Sequence, residues 1–275
     1  MMKEKNLRQA IIAGCKELER TGINQGTAGN ISLRFGPDML ITPSAVPYDK
    51  LTPQMIARMP INGEYGAWSG PLKPSSEWRF HLDIMRARPD AGAIIHTHSS
   101  YATALAMLRK PILACHYMIA TFGGPTIRCT DYAPYGTKEL SDLVIEGLEG
   151  RSGVLLGNHG MVVTGADLGE AIWRAVELET IAKMYVLALG MGKPEILPDD
   201  EIARIVERFK SYGYVPPKPK TKPTSPVKGA KALPRKIHGT PISAGKISAG
   251  KKMKTGKAKH DAVSGARPKR KAAKA

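Results

Sequence analysis

The sequence predicts a single α/β domain built around a mixed sheet, followed by a disordered tail. Three observations lead there. Through residues 1–215, apolar runs of strand length alternate with stretches of helical periodicity. Several strand-like runs adjoin through short Gly-rich turns with no helix between them, so the sheet cannot be wholly parallel. From Pro216 onward the composition changes abruptly to Pro, Lys, Ala, Gly and Ser.

Residues 6–21 read as an amphipathic helix, with Leu7, Ala10, Ile11, Gly14, Cys15 and Leu18 on one side. Gly22, Gly26, Gly29 and Asn30 then make a turn-rich loop that runs into a strand at 31–35. "DMLI" is a second strand, and Pro43-Ser44-Ala45 with Pro47 forms a loop. Residues 54–70 read as a strand and hairpin turning at "NGE" (62–64). A helix starts near Ser75 or Ser76, which are N-cap candidates, and Pro89 ends it. "AGAIIHTH" is a buried strand, and 99–109 a helix. "ILACHYMIATFGG" reads as a strand or a short helix. "GTKELSDLVIEGLEG" is a helix closed by Gly150. "SGVLLGNHGMVVTG" is strand, loop, strand. A long helix of about 24 residues begins near Asp167, and a last helix follows "PDD".

Charge divides the chain in the same place. The net charge is +17, but residues 216–275 hold 18 of the 41 Lys and Arg and one acid, Asp261, leaving 23 bases and 23 acids in 1–215. The body is neutral and the tail carries the charge. The tail repeats "ISAGK" in tandem and has too little apolar area to offset the entropy of ordering it, so disorder is expected. It has no aromatic side chain for stacking on bases; the partner it fits is a polyanion, bound non-specifically and salt-sensitively. No run approaches the ~18 apolar residues that cross a bilayer, and the N-terminus carries acids within a helical pattern. Three cysteines, Cys15, Cys115 and Cys129, form no short-spaced pair. A cytoplasmic location, without disulfides or a Cys-based metal site, is the expectation.

The chemistry concentrates in "AIIHTH". On a strand, residues i and i+2 face one side about 7 Å apart, so His96 and His98 project together. Alone, this pair admits three readings: a zinc claw, an acid–base pair, or polar residues at a strand end. His159 in "VLLGNHG" again follows an apolar strand, in a Gly-flanked loop, where it can add a third ligand. Three histidines with one open position make a catalytic arrangement. His81 and His116 are competing ligands; His81 lies on a helix and reads as structural. Glu77 follows Ser75 and Ser76 at a helix start, a common N-terminal pattern and also a place where an anion and a base can meet. "TAGN" (27–30) and "TPSA" (42–45) are two further small-residue loops that can cradle phosphate.

Taken together, "TAGNIS", "ITPSAVPYDKL", "PSSEWRFH", "HTHSSYATA", "HYMIA", "LLGNHG" and "DEIARIVERFKSYG" resemble the class II aldolase/adducin family, within it the L-fuculose-1-phosphate aldolases. The resemblance runs in order over about residues 5–214 and leaves the tail out. It implies one α/β domain over 1–215 with a mixed, mostly antiparallel sheet flanked by helices. It implies Zn²⁺ on His96, His98 and His159, with Glu77 as catalytic acid/base and as a fourth ligand when substrate is absent. It implies sugar-phosphate contacts from Thr27, Gly29, Asn30, Ser44, Ser75 and Ser76. Tyr117 would act at the aldehyde end from a neighbouring subunit of a homotetramer, and Tyr212 would close over the site. The implied reaction cleaves a ketose 1-phosphate between C3 and C4 into dihydroxyacetone phosphate and an aldehyde, with zinc stabilising charge on the C2 oxygen.

Two residues depart from the family pattern: Ala28 stands in place of a serine and Ala45 in place of a glycine, both at the phosphate end. Related enzymes of the family are methylthioribulose- and deoxyribulose-phosphate aldolases, dehydratases, decarboxylases and epimerases. The epimerases carry Asp where this chain has Glu77, which favours the aldolase. Adducin heads share the fold without the metal site and belong to proteins with Lys-rich tails; the three histidines with Glu77 weigh against that binding role.

Overall fold

The computed structural model describes residues 3–209. The basic tail and Tyr212 therefore lie outside the described residues. The eight-stranded sheet has the order β3-β2-β1-β4-β8-β7-β6-β5, with β1 Asn30–Phe35, β2 Asp38–Ile41, β3 Ala57–Pro60, β4 Ala93–Thr97, β5 Ile112–Leu113, β6 Thr126–Cys129, β7 Gly153–Leu156 and β8 Gly160–Gly165. Strands β6 and β7 run parallel and the other neighbours antiparallel, so the sheet is mixed and mostly antiparallel as expected.

Alternate side chains on each strand enter two different cores, because successive residues point to opposite faces. Ile31, Leu33, Ala93, Ile95, Met161 and Val163 face the core shared with α1 (Glu4–Arg20), α3 (Ser100–Met107), α5 (Leu168–Met191) and α6 (Asp199–Phe209). Met39, Ile41, Ile94, Val154, Leu156 and Val162 face α2 (Trp78–Ala87) and α4 (Lys138–Gly147). The result is three layers with the sheet buried on both sides. That is why strands such as "AIIHT" read as continuous apolar runs, with every residue buried.

Local chemistry sets the helix ends. Thr137 accepts from the Leu140 N–H and Asp167 from the Glu170 N–H, capping α4 and α5. The Glu179 carboxylate, on α5, accepts from the N–H groups of Tyr101 and Ala102 at 2.9 Å each and so caps α3 from outside. Gly150 has φ +63° and turns the chain from α4 into β7.

Four sequence readings change in detail. Strand β6 is not among the expected elements: four residues between a Gly-Gly-Pro turn and a loop are too short to show periodicity. The hairpin expected at 54–70 is one strand whose return leg is an isolated bridge, Arg58 to Ser69. The stretch 112–124 is both expected forms at once, a two-residue strand and a 3-10 turn at Tyr117–Phe122. Helix α2 begins after Glu77 rather than at the serines, and no side chain caps it. The chain holds Ser75 back by pairing with the 42–45 loop, where the Ser75 N–H donates to the Thr42 carbonyl at 2.9 Å and Pro43 bridges Pro74.

Candidate metal centre

The parity that points Ile94 and Val162 at α2 and α4 also aims His96 at the α2/α4 face, at the end of β4. His98 follows with the same parity, just before α3. His159 comes from the turn between β7 and β8, where Asn158 adopts a left-handed φ of 55°. Glu77 sits at the start of α2. Sequence-distant by up to 82 positions, these four meet at one point: each offers a ligand atom, and all four atoms lie within 4.8 Å of one another. His96 Nε2 is 3.0 Å from His98 Nε2 and 3.1 Å from Glu77 Oε2, and His159 Nε2 is 3.1 Å from Glu77 Oε1. The three rings stand edge to face, with centroids 4.8–4.9 Å apart.

These spacings test whether the residues fit a cation. Donors about 2.0–2.1 Å from a tetrahedral ion lie about 3.4 Å apart, close to what is observed. The bonding pattern agrees. His96 Nδ1–H donates to the Met161 carbonyl at 2.9 Å, so in the neutral ring Nε2 presents a bare lone pair to the centre. Glu77 Oε1 is buried and has no hydrogen-bond partner although His159 Nε2 is 3.1 Å away. Two polar atoms at hydrogen-bond distance but misaligned are expected when both aim at a third point. The set of three imidazoles and one carboxylate suits a borderline ion such as zinc.

Charge at the centre points the same way. Burial by itself raises the Glu77 carboxyl, but the adjoining His96 and His159 rings outweigh it, holding the group well below the usual carboxylate range. Burial, then repulsion from His96 and His159, pushes His98 down to about 4. An ionised carboxylate and a neutral imidazole are the forms that bind metal.

Glycine is required at two places around the centre. A Cβ on Gly160 would sit 2.5 Å from the Thr97 carbonyl oxygen and 2.8 Å from His98 Cδ2. A Cβ on Gly29 would meet Asn24 Oδ1 at 2.7 Å and the His96 carbonyl oxygen at 2.8 Å. Gly29 thus lets the loop lie against β4, and the Tyr48 hydroxyl pins its carbonyl at 2.7 Å.

A cleft of about 440 Å³ opens beside the four residues, within the range of small-molecule sites. Thr27, Ala28, Ser44, Ala45 and Ser76 line it along with Glu77, His98 and His159. Of the expected phosphate contacts, Thr27, Ser44 and Ser76 face the cleft. Ser75 is buried and its Oγ accepts from the Glu77 N–H at 3.3 Å. Asn30 is also buried, and its Nδ2 donates to Glu77 Oε2 at 3.0 Å. Ala45 has φ +57°, which accounts for the family's glycine at this position. Tyr117 is half exposed, stacked near Phe209 at 6.4 Å, and does not line this chain's cleft. His116 accepts from the Met118 N–H and lies outside the metal group, and so does His81.

Asn158, next to His159, lines the cleft without having been a sequence candidate, and so do Tyr132, Ala133 and Tyr135. The last three sit in the loop after β6, the strand that periodicity missed. Two tyrosines three residues apart, on either side of Pro134, were the available signal.

Comparison with known proteins identifies the family. The model of the class II aldolase and adducin N-terminal domain matches residues 9–186. A Rhodospirillum rubrum protein named 5-methylthioribulose-1-phosphate/5-deoxyribulose-1-phosphate aldolase is 48% identical over 207 residues, 75% of this chain and 92% of that one. The L-fuculose phosphate aldolase of Escherichia coli strain K12 is 45% identical over 213 residues, 77% of this chain and 98% of that one. A solved L-fuculose 1-phosphate aldolase superposes with a TM-score of 0.72 at 41% identity, covering 74% of this chain and 96% of its own. Class II aldolases are metal-dependent, and the group of Glu77 with three histidines could hold the ion. Among the described residues no helix is long and apolar enough to cross a membrane. Matched over most of its body by the family model and by relatives named as aldolases, the chain belongs to the class II aldolase/adducin family and is an enzyme of the carbon–carbon lyase class.

Proposed function

We propose that the protein is a zinc-dependent aldolase that cleaves a ketose 1-phosphate between C3 and C4, releasing dihydroxyacetone phosphate and an aldehyde. The observation that carries this reading is the convergence of His96, His98, His159 and Glu77 beside a cleft whose other end is lined by hydroxyls. Zinc held by the three histidines supplies Lewis acidity for the negative charge that develops on the C2 oxygen when the bond breaks.

The protein's own residues do the rest. Thr27, Ser44 and Ser76 present hydroxyls to the phosphate and fix the substrate's position. Glu77, ionised and able to turn one oxygen toward the cleft, returns a proton to C3 once the aldehyde has left, and removes it in the condensing direction. Tyr117 carries the proton of the C4 hydroxyl, acting from a neighbouring subunit of a homotetramer; its position away from this chain's own cleft is in keeping with that. Tyr212 closes the site. The location is the cytoplasm.

The relative at 48% identity supports a second reading of the aldehyde end. A fuculose phosphate yields a three-carbon hydroxyaldehyde, and a deoxyribulose phosphate a two-carbon aldehyde. The first four carbons undergo the same chemistry in both. Zinc-loaded protein incubated with both substrate types and followed for dihydroxyacetone phosphate tests the proposal. Release is expected from at least one, with a loss of about 10²–10⁴-fold in kcat for Glu77→Gln. Folded, metal-loaded protein that releases no dihydroxyacetone phosphate from either would refute it.

A further inference from the structure

His81 lies one turn past Glu77 on α2, fully buried and outside the metal group. Both of its ring nitrogens have partners. Nδ1 is 2.7 Å from Ser32 Oγ on β1, and Nε2 meets Asn30 Oδ1 two residues earlier on the same strand. Asn30 Nδ2 then reaches Glu77 Oε2 at 3.0 Å. Phe80 stacks on the ring of His81, with centroids 4.7 Å apart and planes 24° apart, which fixes the ring plane. The side chains thus form a line from Ser32 through His81 and Asn30 to Glu77.

The protons in this line follow from what each group can donate. An ionised carboxylate only accepts, so Asn30 must turn its NH₂ toward Glu77. Its carbonyl oxygen then faces His81 and also only accepts, so His81 Nε2 carries the hydrogen. In a neutral ring Nδ1 must then accept, and the Ser32 hydroxyl is the donor. The reverse order fails. With the hydrogen on Nδ1, the bare Nε2 would draw the amide NH₂ to itself, and the Asn30 carbonyl oxygen would face Glu77 Oε2. Two buried acceptors in contact are costly. Burial keeps the ring neutral throughout, pushing His81 down to about 3.

We propose that His81 is a positioning residue of the site: its Nε2–H, set by Ser32, orients the Asn30 amide to hold Glu77 Oε2, and so reserves Glu77 Oε1 as the oxygen that takes and returns the substrate proton. Oε1 makes no aligned hydrogen bond, its neighbour being His159 Nε2 at 3.1 Å, and Glu77 borders the cleft. The role of that proton rests on the aldolase reading above; the hydrogen-bond line does not.

Nitrogen-15 NMR of histidine-labelled, zinc-loaded protein tests the line directly. His81, assigned by the signals that vanish in His81→Gln, is expected as the neutral Nε2–H tautomer at pH 7. The Nδ1–H tautomer or a charged ring would overturn the proposal. Kinetics test the positioning. His81→Leu removes the donor and is expected to lower kcat by about 10–100-fold, with KM for the ketose phosphate and zinc content little changed. His81→Gln, whose amide can donate to Asn30, is expected to recover most of that loss. Wild-type kcat in folded His81→Leu, or an equal loss in both variants, would overturn it. If His81→Leu does not fold, Ser32→Ala carries the test: a lower kcat with some Nδ1–H tautomer is expected, and no change in either would overturn the proposal. Wild-type protein that cleaves no ketose phosphate would sink the function reading, while the tautomer would still decide the line.

Discussion

The buried ring of His81 predicts a specific weakness toward acid. In the unfolded chain a histidine titrates near an ordinary pKa of about 6.5. In the native protein burial lowers His81 to about 3, with His96 adding to the shift and Glu77 opposing it. Below pH ~6.5 the unfolded state therefore takes up a proton that the native ring refuses. The stability that goes with the neutral ring is complete above that pH and is lost as pH falls toward the folded value. The slope is about 1.4 kcal/mol per pH unit. Between pH 7 and pH 5 the loss from this one residue is about 2 kcal/mol, after allowing for partial titration near pH 6.5. Glutamine does not titrate, so His81→Gln should remove that component whatever its pH-independent effect. Urea unfolding of metal-stripped wild type and variant at pH 5, 6 and 7 measures it, with EDTA throughout so that metal release does not contribute. The wild type should lose about 2 kcal/mol more than the variant over this range. Equal losses would show that the ring is not held neutral, and the reasoning about its tautomer would fall with it.

Three further outcomes are expected. Gly160→Ala places a methyl 2.5 Å from the Thr97 carbonyl oxygen and 2.8 Å from His98, so the ligands must shift; zinc affinity, read by chelator competition, should fall about tenfold or more, and unchanged affinity would contradict the built geometry. Ala45→Gly relieves a left-handed backbone worth about 1–2 kcal/mol, less the unfolded-state entropy of glycine, so a net gain of up to about 1 kcal/mol in thermal unfolding is expected, together with a lower KM for the ketose phosphate. Deleting 216–275 should leave kcat and KM nearly unchanged and abolish retention on DNA at low salt, because that segment holds 18 Lys and Arg against one acid; loss of catalysis on deletion would move the functional boundary into the tail.

Much of the architecture was readable because each core-forming element carries its own period. The 24-residue helix Leu168–Met191 and the run "AIIHT" are long or apolar enough to identify themselves. The elements that were not readable are those that owe their form to distant partners. Strand β6 is four residues long and exists because β7 lies parallel beside it. Ser75 looks like a helix cap, but the long-range pairing with Thr42 takes its backbone and delays the helix to Trp78. The four residues that could hold a metal follow the same logic in reverse. His96 and His98 were legible by strand parity, and His159 as a candidate third ligand by its Gly-flanked loop after a strand, whereas placing Glu77 at the same point needed the resemblance, since nothing local says that the β7–β8 turn and the start of α2 meet. Asn30 shows what a carried-over role leaves out: the resemblance gives it a sugar-phosphate contact, and the structure adds a hydrogen bond from its amide to Glu77.

That arrangement also explains why likeness to known enzymes settles the family and leaves the aldehyde open. The ligands stand on the sheet and at the start of α2, elements fixed by two buried cores, and any change there disturbs packing as well as chemistry. The wall formed by Tyr132, Ala133 and Tyr135 lies on a loop, with Tyr132 52% and Tyr135 70% exposed. Side chains so exposed can vary with little effect on stability. On the proposed function, the common step is expected to depend on the rigid elements and the choice of leaving aldehyde on this loop. Relatives with two differently named substrates can then match the chain at 48% and 45% identity without contradiction. Exchange of the 131–135 loop should shift preference between the two- and three-carbon aldehydes while zinc affinity stays the same. A swap that altered metal binding but left the preference intact would place specificity on the sheet instead.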